Sequence, residues 1–298
     1  MRRYARRKMF KAVLAVFVVS IAAATLSITK PVSGAAKFKD VPASHWAVKA
    51  IDSAVSRGYF KGYADGTFRP NANITRAEFA ALMTRVSNNS LAEGTGVFND
   101  LAGHWAQSAV QEAMAMGFLS TSDYPNGFQA SKPLTRKEMA KWMSSGLAAK
   151  NDNFKQALLD TKDTLVPVAE FYKGGLAKSD YPYLSVVLGT GLMTGYPDGT
   201  FGPDKMTTRA EVAAILARYS NVQDKNPSQY RDLNEMREVG LTGTNLTSAT
   251  PHVYSAIAGT DKIASFDRFA NQPYTMMYNR GTMTVHRMIV ADASSPGR

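Results

Sequence analysis

Three arginines occupy the same place in three copies of one short motif: Thr75-Arg76-Ala77-Glu78, Thr135-Arg136-Lys137-Glu138 and Thr208-Arg209-Ala210-Glu211. A Thr and a Glu three residues apart form a capping box. The hydroxyl accepts from the third backbone N–H of a helix, and the carboxylate accepts from the cap residue's own N–H. Thr75, Glu78, Thr135, Glu138, Thr208 and Glu211 are therefore expected to be structural helix caps. The arginine has no such explanation. A cation in the first turn opposes the positive end of the helix dipole at a cost of a few tenths of a kcal/mol. A helix N-terminus with free N–H groups beside a guanidinium would receive a carboxylate or phosphate. The competing reading is a structural salt bridge from each Arg to an acid of a neighbouring repeat.

The elements that must position these arginines repeat as well. Gly62-Tyr63-Ala64-Asp65-Gly66-Thr67-Phe68 precedes the first motif and Gly195-Tyr196-Pro197-Asp198-Gly199-Thr200-Phe201 the third, at a constant offset of 133 residues. Between them, Tyr124-Pro125-Asn126-Gly127-Phe128 keeps the turn and loses the leading Gly. Copies one and two open with Phe38-Lys39-Asp40 and His45-Trp46-Ala47, and with Phe98-Asn99-Asp100 and His104-Trp105-Ala106. Copy three lacks both. It has a longer segment from about Phe154 to Pro182, in which Asp160, Asp163, Tyr172 and Tyr181 are the substitutes available. Ala47, Ala50, Ile51, Ala54 and Val55 follow helical spacing up to Gly58. Phe79, Leu82, Met83 and Val86 continue a second helix from Thr75. Self-similarity at roughly 50 to 60 residues predicts stacked helix-loop-helix units that share one core.

Together these motifs resemble the S-layer homology (SLH) family. The resemblance spans about Lys37 to Tyr219 and implies a mainly α fold of three helix-loop-helix repeats in a pseudo-threefold arrangement. It also implies a function: non-covalent anchoring of an exported, surface-located protein to the bacterial cell wall. The partner implied is a secondary cell-wall polysaccharide linked to peptidoglycan, often pyruvylated, held in grooves between repeats. Carried over residue by residue, the ligand-binding candidates are Asp40, Trp46, Gly62, Arg76, Asp100, Trp105, Arg136, Gly195 and Arg209. Read alone, Trp46 and Trp105 could equally be core aromatics, and Asp40 and Asp100 could cap the following segment or accept sugar hydroxyls. His45 and His104 suit helix-entry hydrogen bonds, with no ligand partner at metal spacing. Asp65-Gly66 and Asp198-Gly199 read as turns, with too few carboxylates for a calcium loop. No metal and no cofactor is expected.

Residues 1–35 read as a secretory signal: a basic start, an uncharged apolar run from Ala12 to Leu26, and small residues around Ser33 to Ala36. Cleavage would leave no stable membrane span. The formal charge of +11 falls to +4 without the seven cations of that segment, so the high isoelectric point does not argue for nucleic acid. The chain has no cysteine, which excludes disulfides and thiolate metal sites.

The predicted organisation is a repeat over 36–90, a second over 91–150, a third with an insertion over 151–220, a linker over 221–238 and a small β-rich module over 239–298. In the last, Tyr274 to Tyr278 and Thr282 to Val290 read as a hairpin about Asn279-Arg280-Gly281. This module could drive self-association, which would make the chain a surface-lattice (S-layer) protein. A wall-anchored hydrolase using Ser255, Asp261 and His286 is a third reading. No nucleophile elbow, His-Glu-x-x-His or paired-carboxylate pattern supports it, and a non-enzyme is expected.

Overall fold

The structure is a computed structural model that describes residues 38–91, 96–249, 273–275 and 281–289. The predicted signal segment and the candidates Ser255 and Asp261 lie outside them. Among the described residues no helix is long and apolar enough to cross a membrane.

Each repeat contributes an entry helix and a capped helix. The entry helices are α1 (Val48–Ser56), α3 (Gln107–Ala115) and α7 (Tyr181–Gly189). The capped helices are α2 (Arg76–Val86), α4 (Arg136–Lys150) and α8 (Arg209–Val222). All three capping boxes form, with the hydroxyls of Thr75, Thr135 and Thr208 accepting from the backbone N–H of Glu78, Glu138 and Glu211. Each capped helix packs on the entry helix of the next repeat in a closed cycle: α2 on α3, α4 on α7 and α8 on α1.

The cycle closes at the backbone too. The Ile74 N–H donates to Thr207 O at 2.9 Å, Thr207 N–H to Leu134 O at 3.0 Å, and Leu134 N–H back to Ile74 O at 2.9 Å. Three equivalent residues thus form a ring in which every repeat touches the other two. Ile74, Leu134 and Thr207 are fully buried, as are Phe68, Phe128 and Phe201, the last residue of each loop motif. One shared core results, as stacked units of this size require.

The insertion of repeat three forms α5 (Asp152–Asp160) and the short α6 (Ala169–Tyr172). The expected linker over 221–238 is a helix instead. α9 (Arg231–Thr242) packs against both α5 and α7. Polar composition conceals its apolar stripe, in which Leu233, Met236 and Val239 are buried. Two glycines allow this docking: a Cβ on Gly189 would lie 2.6 Å from Leu233 Cα, and one on Gly240 would lie 2.0 Å from Asp160 O. Arg237 pairs with the buried Asp160 at 2.8 Å. The β-rich module does not begin at Val239 either, because α9 runs on to Thr242 and α10 (Leu246–Ala249) follows. Strands β1 (Pro273–Thr275) and β2 (Thr282–Thr284) pair antiparallel, with Tyr274 opposite Met283. The described part of the predicted hairpin is thus a three-residue ladder.

Candidate functional site

The three motif arginines point into the seams between repeats. Arg76, Arg136 and Arg209 are only 6 %, 5 % and 6 % exposed. Each reaches the loop motif of the next repeat in the cycle. Arg76 donates to Phe128 O at 2.8 Å and to Glu138 Oε1 at 2.9 and 2.6 Å. Arg136 donates to Phe201 O at 2.8 Å and Thr194 O at 2.7 Å, with Glu211 3.8 Å away. Arg209 donates to Phe68 O at 2.8 Å and Lys61 O at 3.1 Å. The guanidinium planes also lie over the loop tyrosines: Arg76 over Tyr124 at 4.4 Å, Arg136 over Tyr196 at 4.8 Å and Arg209 over Tyr63 at 4.9 Å. The Tyr and Phe of the loop motif are therefore a receptacle for the neighbour's arginine, a fit that Lys could not reproduce.

The expectation of free N–H groups at the capped helix starts is corrected. The first two helical N–H groups donate across the seam: Arg76 and Ala77 to the carbonyls of Lys132 and Ala130, Arg136 and Lys137 to those of Lys205 and Pro203, and Arg209 and Ala210 to those of Ala72 and Pro70. The third is held by the capping Thr. No donor of that first turn remains for an anion. The dipole penalty on the arginines is offset by charge-assisted bonds between repeats.

The ring of arginines is unequal. Arg76 has a tight ion pair with Glu138 at 2.6 Å, and Arg136 a longer one with Glu211 at 3.8 Å. Among the described residues no ion pair joins Arg209 to Glu78, the partner that the cycle would supply. Burial pulls the Arg209 guanidinium below its ordinary pKa.

Asp40 and Asp100 hold loops. Asp40 accepts from Phe68 N–H at 2.8 Å and Arg69 N–H at 2.7 Å, and Asp100 from Phe128 N–H at 3.0 Å and Gln129 N–H at 2.7 Å. Burial acts to raise both carboxyls, but the two N–H bonds on each outweigh it and hold the pKa below the usual range. Arg69 and Gln129 adopt left-handed φ of 58° and 53°, and the carboxylates pin that conformation. In repeat three the left-handed residue is Gly202, and the carboxylate is Glu170, which accepts from Phe201 and Gly202. None of the four expected substitutes fills this position. A Glu reaching from a different helix has no signature in the spacing. Gly62 has a packing role: a Cβ there would lie 2.2 Å from the Phe38 ring. At Gly195 a Cβ would meet Thr200 O at 3.0 Å.

The tryptophans behave oppositely to the arginines. Trp46 and Trp105 are 66 % and 65 % exposed, which overturns the core reading. His45 and His104 accept the N–H of Ala47 and Ala106 through Nδ1, as helix-entry hydrogen bonds, and lie beside the indoles at 5.8 and 5.6 Å.

Trp105, Arg209 and residues not singled out from sequence meet in one groove. Tyr59, Lys61, Glu78 and Arg85 of repeat one line it, Trp105 comes from repeat two and Arg209 from repeat three. It encloses about 410 Å³ of empty space, part of it open to solvent. Three cations face one acid there, so the groove is positive.

The offset of 133 residues places Arg218 where repeat one has Arg85, on α8, which packs on α1, and Trp46 lies two residues before α1 begins. At the third seam, between α4 and α7, the corresponding positions are Ser145 and Ser179. The lysines of that seam are already paired, Lys141 with Asp123 and Lys137 with Asp204, both at 2.7 Å.

Three cyclically joined helix-loop-helix repeats with an aromatic and cationic groove where they meet define a class of repeat module. The three repeats are S-layer homology domains: the model of that family matches residues 37–80, 97–140 and 176–213. The chain is 28 % identical over 199 residues to the S-layer protein sap of Bacillus anthracis, across 66 % of this chain and 23 % of that protein. It is 36 % identical over 125 residues to cell surface glycoprotein 1 of Acetivibrio thermocellus, across 38 % of this chain and 5 % of that protein. It is 39 % identical over 94 residues to the cellulosome-anchoring protein of the same organism, across 30 % and 21 % respectively. The chain thus spans less than a quarter of the length of each of these relatives.

Proposed function

We propose that the three repeats form a non-catalytic anchor that holds the protein at the bacterial surface by binding an acidic, pyruvylated cell-wall polysaccharide in its inter-repeat grooves. The observation that carries this reading is the groove of Trp105 and Arg209. An exposed indole face suits stacking on a sugar ring, and a guanidinium that makes no ion pair with a protein carboxylate among the described residues suits an acid group. Trp46, exposed ahead of α1 where α8 packs on it, would serve a second site on the same plan. The seam between α4 and α7 lacks the Trp and carries internal ion pairs, so the grooves differ in capacity. In this reading Asp40, Asp100, Gly62 and Gly195 shape the loops. Arg76 and Arg136 hold the repeats together, and Arg209 does this and faces the ligand. Two or more occupied grooves on one polymer would raise retention beyond that of either alone.

Co-sedimentation with bacterial sacculi tests the proposal. Binding is expected to untreated sacculi and to fall by an order of magnitude or more after mild acid removes ketal-linked pyruvate. A charge-assisted bond contributes roughly 1.5–3 kcal/mol, which sets that scale. Equal binding before and after treatment would exclude the acidic group as the feature recognised.

A further inference from the structure

The geometry points to Arg85, and its counterpart Arg218, as the outer half of a two-cation grip on the acidic group, a role that none of the motif residues fills. This rests on the polysaccharide-binding reading above.

Arg209 forms the groove floor, and its Nε and Nη2 already donate to Phe68 O and Lys61 O. Buried and held on two sides, it can supply charge and one direction of approach but cannot move to meet a ligand. Arg85 lines the same groove from α2, is exposed, and is steered by a single bond from Nη1 to Tyr59 O at 3.1 Å. It shares that groove with Trp105 of repeat two. A sugar stacked on that indole would place an acidic substituent between a fixed guanidinium and an adjustable one. Two forks converging on one carboxylate or phosphate give directional recognition that either alone lacks.

The same device recurs at repeat three, where exposed Arg218 donates through Nη1 to Leu192 O at 3.3 Å. Leu192 is the residue equivalent to Tyr59 at the offset of 133. The bond to the helix-exit carbonyl therefore belongs to the repeat and not to the chance placement of one side chain. Repeat two has Ser145 there, at the seam that also lacks the tryptophan.

The full chain is compared in sacculus co-sedimentation as wild type, Arg85→Gln, Arg85→Gln/Arg218→Gln and Arg85→Lys. Lys155→Gln, an exposed change of the same charge on α5, serves as the control. Both glutamine variants should keep the wild-type melting temperature. The single variant should bind several-fold more weakly to untreated sacculi and the double variant about tenfold or more. Arg85→Lys should lie between wild type and Arg85→Gln, and Lys155→Gln should match wild type. If the double variant binds like wild type, or Lys155→Gln loses as much, the grip is wrong and bulk charge or other groups act in its place. Wild type that ignores acid treatment would instead overturn the polysaccharide reading itself, so the two failures are distinguishable.

Discussion

Replacing Arg76 with alanine should destabilise the repeats by about 3–5 kcal/mol, the range for breaking a buried ion pair by removing one partner. The substitution leaves Glu138 Oε1 without its counter-charge, with only the Thr135 bonds to Oε2 remaining, and the Phe128 carbonyl without its donor. It also removes the cation over Tyr124, which is itself buried. For a domain of this size each kcal/mol shifts the melting temperature by roughly 2–4 °C, so a fall of about 6–20 °C is expected. Arg76→Lys should recover only part of it, because an ammonium cannot reach a carbonyl and a carboxylate in one plane. A melting curve unchanged by Arg76→Ala would mean that this seam contributes little to stability.

The second large effect is expected far from the motifs. Leu233→Ala should cost about 2–5 kcal/mol, the range for a fully buried leucine truncated in a packed core. Leu233 is fully buried against α7, close enough to Gly189 that no side chain fits there. A chain cut after Ser220 should be destabilised by more, because Met236 and Val239 and the Arg237–Asp160 pair leave together. Thermal unfolding of the two variants checks this. A truncated chain as stable as the full one would return residues 221–238 to the status of a linker.

What the residues disclosed and what they concealed follow physical lines. Local signals were legible. The Thr and Glu of each capping box, the Asp-Gly turns, Gly58 as a helix stop and the shared core depend on neighbours within a few positions or on a repeated pattern. Interactions across seams were not. The arginine looked like an anion receptor because the carbonyls that occupy the helix starts belong to another repeat, and only the closed ring brings them there. Glu170 was missed because it replaces Asp40 and Asp100 from another element with a longer side chain. α9 was misread because charged residues dominate its composition, and three apolar positions at helical spacing suffice to dock it. The tryptophans were open between core and groove for a simple reason: an amphipathic helix start does not reveal which way its first residue faces.

The arginines also explain why their motif is so uniform while the grooves are not. Each guanidinium closes the cycle, so losing any of the three weakens the whole assembly. Trp46, Trp105, Arg85 and Arg218 carry no such duty, and repeat two has Ser145 where the others have a cation. In the proposed reading, stability and binding therefore reside in adjacent sets of side chains that overlap at one residue. Arg209 belongs to both.

Tryptophan fluorescence during titration with purified wall polysaccharide tests the groove claim most directly. The chain has three tryptophans, and Trp142 is buried while Trp46 and Trp105 are exposed. Saccharide stacked on the exposed indoles should remove water from them, shift the emission to shorter wavelength and reduce iodide quenching. The Trp46→Phe/Trp105→Phe chain should show neither change. Saturable binding of the polymer with the emission and quenching of wild type unaltered would contradict the account, because it would place the polysaccharide outside the inter-repeat grooves.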